Sequence, residues 1–406
     1  MHRYAVVSIS ILIGSTIAAY DAYVVVPVAD LVGQPLSSAD AYTTIPYSGD
    51  SRACRRLHQI LYHERVHVID SYHDQVHVEL PNIFYQPTST KTRQSTFWTL
   101  KKYLLPISKI HGDINKLPHL RPYQSWNRLQ PDRQPLVTLL DAYYDPVSKL
   151  NFSAGTQFVQ ADQPTEKLSM VYFLDPKTGQ IKQLTLPAHL CVDTTAYTPK
   201  ERIDLFIRLI RSWMNQNASQ RSIPYVWGGT SIACTTSKSA KLFRNKSIGS
   251  WYDSARKGRS IKTGCDCSGL IVRAAHIAGI PYFFKNSYTA TCYLKPIPHG
   301  IDALLSEKKQ LPLASGDIIW VPGHVMIVAD LHKSTLFEAR SYDHGYGKLQ
   351  EIPLEKVFKG IKTYQDLLIA YEKKLPLYRM NSAGIVKDTF KECKLLSLAS
   401  SWDISY

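Results

Sequence analysis

A change of hydrophobic period at Thr198 divides this 406-residue chain into a β-rich first part and a second part that opens with a helix. Within 66–78, two runs of alternating valines flank a polar stretch at 70–75, which predicts a β-hairpin with one buried face. A second β-rich stretch, from 136 to 186, contains a turn signal at 176–179. We therefore expect two small β units before residue 198.

The segment that follows has the start signals of an amphipathic helix. Thr198 and Glu201 form a capping-box pattern, and Pro199 suits the first helical position. Apolar residues then recur on one helical face: Ile203, Phe206, Ile207, Ile210, Trp213 and Met214. A new domain is predicted to begin here.

A second helical pattern lies in "TGCDCSGLIVRAAHIAGIPYF", residues 263–283. Its apolar spacing begins after Cys267, and Gly279 with Pro281 predicts its end. The exposed N–H groups at a helix start carry partial positive charge, which lowers the pKa of a nearby thiol. We therefore expect Cys267 to be a better nucleophile than Cys265, which lies upstream of the helix.

From residue 317 the alternating pattern returns as "DIIWV", "HVMIVAD" and "TLFEA", separated by turn signals. These segments predict consecutive antiparallel strands, with His324 opening one strand and Glu338 near the end of the next. An imidazole can accept the proton of a thiol, and a carboxylate can orient that imidazole. Cys267, His324 and Glu338 are therefore candidate catalytic residues.

Residue type and spacing alone leave other interpretations open. The chain has fourteen histidines, and a Cys before an apolar helix is often a small buried residue of the core. Cys265 and Cys267 lack a second ligand pair at the spacing of a zinc site, so no metal is predicted.

The net charge of +15 indicates an anionic partner, either nucleic acid, a membrane surface or an acidic polymer such as the cell wall. No nucleic-acid-binding motif is present. The amino end also predicts export of the chain, as described next, and an exported protein does not ordinarily meet nucleic acid. The stretch 230–263 carries eight Lys or Arg and one Asp; it is interpreted as a solvated surface insertion.

The amino end has the layout of a secretory signal peptide, with an apolar run from Ala5 to Ile13 followed by small residues. Cleavage is expected after Ala18 or Ala19. The alternative is a short membrane anchor, but about 15 apolar residues fall short of the roughly 20 that span a bilayer. We predict export to the periplasm or the cell exterior, without stable membrane insertion.

Four motifs in order resemble the NlpC family of papain-like cell-wall endopeptidases. They are "YVWGG" (225–229), "DCSGLIVRAAHIAGI" (266–280), "SGDIIWVPGHVMIV" (315–328) and "LFEA" (336–339). Upstream, "LHQILYHERVHVI" resembles the first bacterial SH3-like barrel of multi-domain members that cut γ-D-glutamyl-diamino acid bonds. The resemblance implies an α+β fold in which a papain-like catalytic domain follows two small all-β SH3-like barrels.

The domain boundaries expected on this basis are a signal peptide at 1–19, an N-terminal segment with the first SH3-like domain at 20–120, a second SH3-like domain at 121–197, the cysteine peptidase domain at 198–375, and a C-terminal tail of unknown role at 376–406.

The resemblance also assigns roles. Cys267 is implied as nucleophile and His324 as general base and acid, with the Tyr225 hydroxyl near the thiol and the developing oxyanion. Asp266 would bind the free amine of an N-terminal L-Ala. The remaining substrate positions implied are Ser268 in the same pocket, Ser287 near the peptide, and Glu64 as a second acid reaching over the cleft.

Three features depart from the family pattern. Glu338 stands where His is common, and His344 is the alternative if the strand register shifts. The segment between "YVWGG" and "DCSG" is unusually long. His63 stands where Gly is typical, which affects the turn that aims Glu64.

The predicted reaction is hydrolysis of the γ-D-glutamyl to diamino-acid bond of peptidoglycan stem peptides, with a preference for fragments that begin with free L-Ala. No cofactor is expected. Two alternatives stay open: a related cysteine amidase acting on another amide, and a catalytically inert cell-wall-binding protein.

Overall fold

The computed structural model describes residues 18–47, 54–119, 134–162, 165–215, 223–232, 263–297 and 312–404. Nearly all of the predicted signal peptide and most of the basic stretch 230–263 lie outside these residues. Across the described ranges, no helix has the length and apolar character needed to cross a membrane.

The first β region contains strands β1 (Tyr20–Val24), β2 (Val28–Val32), β3 (Arg56–Leu61), β4 (Arg65–Tyr72), β5 (Gln75–Glu79), β6 (Phe84–Tyr85), β7 (Thr96–Leu100) and β8 (Leu104–Pro106), with helix α1 (Ala39–Thr43) between β2 and β3. Seven of them form one sheet in the order β3-β2-β7-β5-β4-β1-β8. The predicted hairpin is confirmed, because β4 pairs antiparallel with β5 and Val68 faces Val78.

The second β region contains β9 (Leu136–Leu139), β10 (Tyr143–Asp145), β11 (Leu150–Phe152), β12 (Gln157–Val159), β13 (Leu168–Leu174), β14 (Ile181–Pro187) and β15 (Cys191–Val192). They form small sheets around a separate apolar cluster that includes Phe152 and Phe158. The predicted turn at 176–179 joins β13 to β14. Neither β region forms a closed barrel among the described residues, so the two SH3-like barrels are not confirmed.

His63, which stands where the family pattern has a glycine, connects the two β regions. Its φ of 68° lies in the left-handed region that favours Gly. The buried ring compensates, since its Nε2 accepts from the Leu174 backbone N–H at 2.9 Å and its Nδ1 lies 3.3 Å from the Gln157 carbonyl oxygen. Burial lowers the pKa of His63 to about 3, so the ring is a neutral cross-link.

The remaining strands are β16 (Thr230–Ser231), β17 (Gly264–Cys265), β18 (Phe284–Lys285), β19 (Ile318–Val321), β20 (His324–Asp330), β21 (Thr335–Arg340), β22 (Lys348–Pro353), β23 (Leu377–Met380), β24 (Val386–Phe390) and β25 (Lys394–Leu396). The helices are α2 (Pro199–Asn215), α3 (Cys267–Ala278), α4 (Ser287–Tyr293), α5 (Leu354–Val357) and α6 (Tyr364–Glu372). Short 3₁₀ helices lie at Lys101–Tyr103, Ile107–Lys109, Ile114–Lys116, Ala188–Leu190, Tyr342–His344 and Leu398–Asp403.

A five-stranded antiparallel sheet, β22-β21-β20-β19-β25, organises the second half of the chain. Alternate residues of its strands face opposite apolar clusters, one shared with α2 and α3 and the other with α5 and α6. The α+β architecture with antiparallel sheets is therefore confirmed. β25 pairs with β19, so residues beyond 375 complete this sheet.

A buried polar network joins the first sheet to the second half of the chain. Arg56 makes a two-pronged ion pair with Asp30, at 2.7 and 3.0 Å. Gln59 donates to Asp30 and accepts from the Thr230 backbone N–H and the Ser231 hydroxyl. Parallel pairing of β6 with β18 adds a second junction.

We predict that Asp30→Ala lowers the free energy of unfolding by about 3–5 kcal/mol, because it leaves the fully buried Arg56 guanidinium without its counter-ion. Urea unfolding followed by circular dichroism measures the change. Asp40→Ala, at an exposed position of α1, is the matched control. Equal stability of the two variants would contradict the prediction.

Candidate active site

The start of α3 is held by one carboxylate and three glycines. Asp266 caps the helix, its Oδ1 accepting from the Gly269 N–H at 2.6 Å, and its Oδ2 accepts from the Gly228 N–H at 2.8 Å. A Cβ at Gly269 would lie 1.9 Å from the Gly229 carbonyl oxygen. The "WGG" and "DCSG" motifs therefore lock together, and this contact places Cys267 as the first helical residue.

The environment of Cys267 corrects one expectation from the sequence. Burial raises the pKa of the Cys267 thiol to about 11, and the Asp266 carboxylate adds to the increase. The nearby Val325 backbone and the cations Lys285 and Arg379 act to lower the pKa but do not reverse the increase. Desolvation thus outweighs these opposing contributions, and the thiol is neutral at neutral pH. Cys265 is more strongly affected, since burial raises its pKa to about 12.

His324 opens β20 directly after the Pro322-Gly323 turn, where Gly323 has a φ of 80°. The ring is buried, and its Nε2 lies 3.3 Å from Glu338 Oε2. Burial and the nearby Arg379 lower the pKa of His324 to about 4, although Glu338 acts to raise it. The imidazole is therefore neutral at neutral pH and available as a base through Nδ1.

Cys267 and His324 are brought to one place by the backbone that follows the histidine. The Val325 backbone lies close enough to the Cys267 thiol to lower its pKa, and Val325 is the next residue after His324 on β20. Tyr225 is buried nearby, and burial together with the Asp266 carboxylate and, once it ionises, the Cys267 thiolate raises the pKa of its hydroxyl well above the usual value. Its hydroxyl is thus a neutral hydrogen-bonding group.

Glu338 is fully buried and has partners on both oxygens. Oε1 accepts from Gln350 Nε2 at 2.9 Å and lies 3.5 Å from Arg340 Nη1, while Oε2 lies 3.6 Å from Arg379 Nη2. Burial acts to raise the pKa of Glu338, but the His324 hydrogen bond and the two arginines hold it at about 2. The carboxylate is therefore ionised.

The strand register also separates the two candidates for the third position. His344 lies in a 3₁₀ helix after β21, with Nε2 2.8 Å from Asp388 Oδ2 and Nδ1 3.0 Å from the Ser341 hydroxyl. The structure thus places Glu338, and not His344, against His324.

Asp266 already has a cationic partner within the chain. Lys285 Nζ lies 2.6 Å from both carboxylate oxygens, and its side chain is buried. Ser268, also buried, donates to Asp266 Oδ1 at 2.9 Å and accepts from Lys285 and the Asn286 N–H. Both predicted substrate residues therefore belong to a polar network that anchors the start of α3.

The other two predicted substrate residues are positioned differently. Ser287 is buried as the first residue of α4, after the Asn286 cap. Glu64 follows the His63 turn, and its Oε1 lies 3.5 Å from Arg273 Nη1. Arg273 lies in the second turn of α3 and also donates to the Thr230 carbonyl. Glu64 thus contacts the body of α3 and not its first residue.

Sequence reasoning missed four residues of this site: Lys285, Arg340, Gln350 and Arg379. Arg340 shared a strand face with Glu338, which is a signal that alternation could have supplied. Lys285 precedes Ser287 by two residues, and no sequence pattern indicates that it pairs with Asp266. Gln350 and Arg379 come from other strands, and no local pattern links them to Glu338. Within the described residues, no group of three or more His, Cys, Asp or Glu could hold a metal ion.

We predict that alkylation of Cys267 by iodoacetamide accelerates about tenfold per pH unit between about pH 7 and pH 9, because the thiolate fraction rises in that proportion below a raised pKa. Peptide mass spectrometry measures the rate at Cys267, with exposed Cys292 as an internal control in the same digest. A rate that is already constant from acidic pH would instead indicate a resting thiolate–imidazolium pair.

Comparison with known proteins gives structural matches only. No protein-family model matches the sequence, and no curated protein is a significant match. An NlpC/P60 family protein from Bacillus cereus ATCC 10987 matches with a TM-score of 0.49 and 17% identity, covering 82% of this chain and 94% of that one. An NlpC/P60 endopeptidase from Photobacterium damselae subsp. piscicida has a TM-score of 0.49 and 15% identity, over 93% and 73% of the two chains. NlpC2 from Trichomonas vaginalis has a TM-score of 0.30 and 11% identity, over 83% and 94%. These solved structures carry the NlpC name, which is the family that the sequence motifs resemble.

Proposed function

We propose that this protein is a cysteine endopeptidase that hydrolyses the γ-D-glutamyl to diamino-acid bond of peptidoglycan stem peptides. The observation that carries the proposal is the proximity of the Val325 backbone to the Cys267 thiol, directly after His324, whose ring lies 3.3 Å from Glu338. The four sequence motifs support a cell-wall peptide as substrate, since they resemble the NlpC family of cell-wall endopeptidases, and the upstream "LHQILYHERVHVI" resembles members that cut this bond.

In the proposed reaction, the Cys267 sulfur attacks the scissile carbonyl carbon as its proton passes to His324 Nδ1. The tetrahedral intermediate collapses when the C–N bond breaks and His324 returns the proton to the departing amine. His324 then takes a proton from water as the water oxygen attacks the thioester carbonyl; the C–S bond breaks, His324 returns this proton to the sulfur, and the γ-glutamyl carboxylic acid leaves and ionises. The Tyr225 hydroxyl is the proposed donor to the oxyanion. Glu338 stays ionised and stabilises the transient imidazolium.

The preference for a free amino terminus depends on Asp266 and Glu64. In the structure each carboxylate has an internal cation, Lys285 or Arg273. A substrate amine would need to share or displace Lys285 to reach Asp266. The preference for L-Ala therefore stays a prediction, and an amine-blocked peptide tests it separately from cleavage itself.

Export to the periplasm or the cell exterior forms part of the same proposal. Its support is the signal-peptide layout of the first 19 residues and the net charge of +15, which favours attraction to an anionic cell wall.

We predict that the mature chain releases free diaminopimelate from L-Ala-γ-D-Glu-diaminopimelate, and that Cys267→Ala abolishes the release because no nucleophile remains. Mass spectrometry of the products measures it, with Cys292→Ala as the control that removes an exposed thiol. Cleavage at another amide would favour the related cysteine amidase. No cleavage of any stem peptide would favour the inert cell-wall-binding protein. Equal cleavage of the amine-blocked peptide would reject only the amine preference.

We predict that Glu338→Gln reduces kcat by about 10²–10⁴-fold, because a neutral amide stabilises the imidazolium less and can favour the wrong ring tautomer. Steady-state kinetics on the same peptide measures the change. Glu355→Gln, exposed on α5, is the matched control. Unchanged kcat in Glu338→Gln would remove the carboxylate from the catalytic set.

A further inference from the structure

The C-terminal segment supplies strand β25 to the five-stranded sheet and also places a buried arginine next to Glu338. β23 and β24 form a hairpin after α6, in which Arg379 pairs with Asp388 across the strands. Along β23 the side chains alternate, so that Tyr378 is exposed while Leu377 and Arg379 are buried. Arg379 is 4% exposed, and its Nη2 lies 3.6 Å from Glu338 Oε2, the oxygen that also faces His324.

We propose that Arg379 is a positioning residue for the catalytic imidazole, and that the C-terminal hairpin is thereby part of the active site. Its guanidinium holds Glu338 so that Oε2 stays on His324 Nε2. The inference rests on the proposed function for its catalytic meaning, although the contact itself does not.

The reason lies in what a buried carboxylate does to a neighbouring imidazole. A lone carboxylate in a low-dielectric interior favours protonation of the imidazole, which would remove the base that Cys267 needs. A buried charge is also costly unless it is paired. The guanidinium groups of Arg379 and Arg340 neutralise the Glu338 carboxylate, and they also disfavour a positive charge on His324.

The two carboxylate oxygens of Glu338 have different partners. Oε1 contacts Arg340 and Gln350, both from the sheet itself, whereas Oε2 contacts His324 and Arg379. Arg340 also donates to the Met380 carbonyl oxygen, the residue after Arg379, so β21 and β23 are tied together at this point. Arg379 is thus the cation placed on the same oxygen as the imidazole.

The charged and titratable groups around this pair come from several elements. Glu338 and Arg340 of β21 and Arg379 of β23 face His324. On the side of α3, the Cys267 thiol lies near Val325, the residue that follows His324. Asp388 of β24 is the cross-strand neighbour of Arg379 and also binds His344. Replacing Arg379 by a neutral residue therefore removes a positive charge next to His324 while its carboxylate partner stays in place.

The test compares Arg379→Gln, Arg379→Lys and the wild-type full chain. Imidazole NMR, with the His324 signal assigned from His324→Gln, measures the His324 pKa. We expect Arg379→Gln to raise it by at least about one pH unit, a tenfold change in acidity, and Arg379→Lys to restore it towards the wild-type value. The acid limb of kcat/KM should move to higher pH in parallel. Arg211→Gln, which removes a partly exposed arginine that pairs with Glu351 on the same sheet, is the matched control.

An unchanged His324 titration in folded Arg379→Gln would overturn the proposal. If that variant does not fold, Arg379→Met replaces the charge with an apolar chain of similar length and the same titration decides. Failure of both to fold would show that Arg379 is needed for the fold itself and would also overturn the proposal. Absence of peptidase activity in the wild type would reject the proposed function, whereas the NMR titration would still report on Arg379.

Discussion

The rest of the site depends on the hydrogen bonds and the ion pair made by the Asp266 carboxylate. It caps α3, accepts from the Gly228 backbone N–H, and neutralises the buried Lys285 on β18. Because β18 pairs with β6, a strand of the first β region, the same carboxylate links the helix start to the N-terminal region. A change of Asp266 would therefore disturb both the position of Cys267 and the contact between the helix start and the N-terminal region.

Around this anchor, the site works with neutral reacting groups and fixed charges beside them. Burial suppresses ionisation of both the Cys267 thiol and the His324 imidazole. The permanent charges sit one step away, on Glu338, Arg340, Arg379, Asp266 and Lys285. Since these groups pair with one another, the interior carries little net charge, and charge separation is expected mainly when a substrate is present.

Several elements were predictable from sequence because their signals are local. The capping box at Thr198 and Glu201, the left-handed Gly279 at the end of α3, and the alternation around His324 each depend on a few neighbouring residues. The barrels predicted from a short motif were not confirmed, since sheet closure depends on pairing between distant strands. The lowered thiol pKa predicted for Cys267 was wrong, because a helix start is visible in sequence but desolvation by distant side chains is not.

The sequence by itself determined the order of β and helical segments, the position of Cys267 at a helix start, and the candidacy of His324 and Glu338. Only the tertiary structure decided that Lys285 pairs with Asp266, that Glu64 pairs with Arg273, and that Arg379 of the C-terminal hairpin reaches Glu338. The physical reason is that periodicity records which face of an element is buried, whereas a buried charge takes whichever partner the packing of remote segments brings within reach.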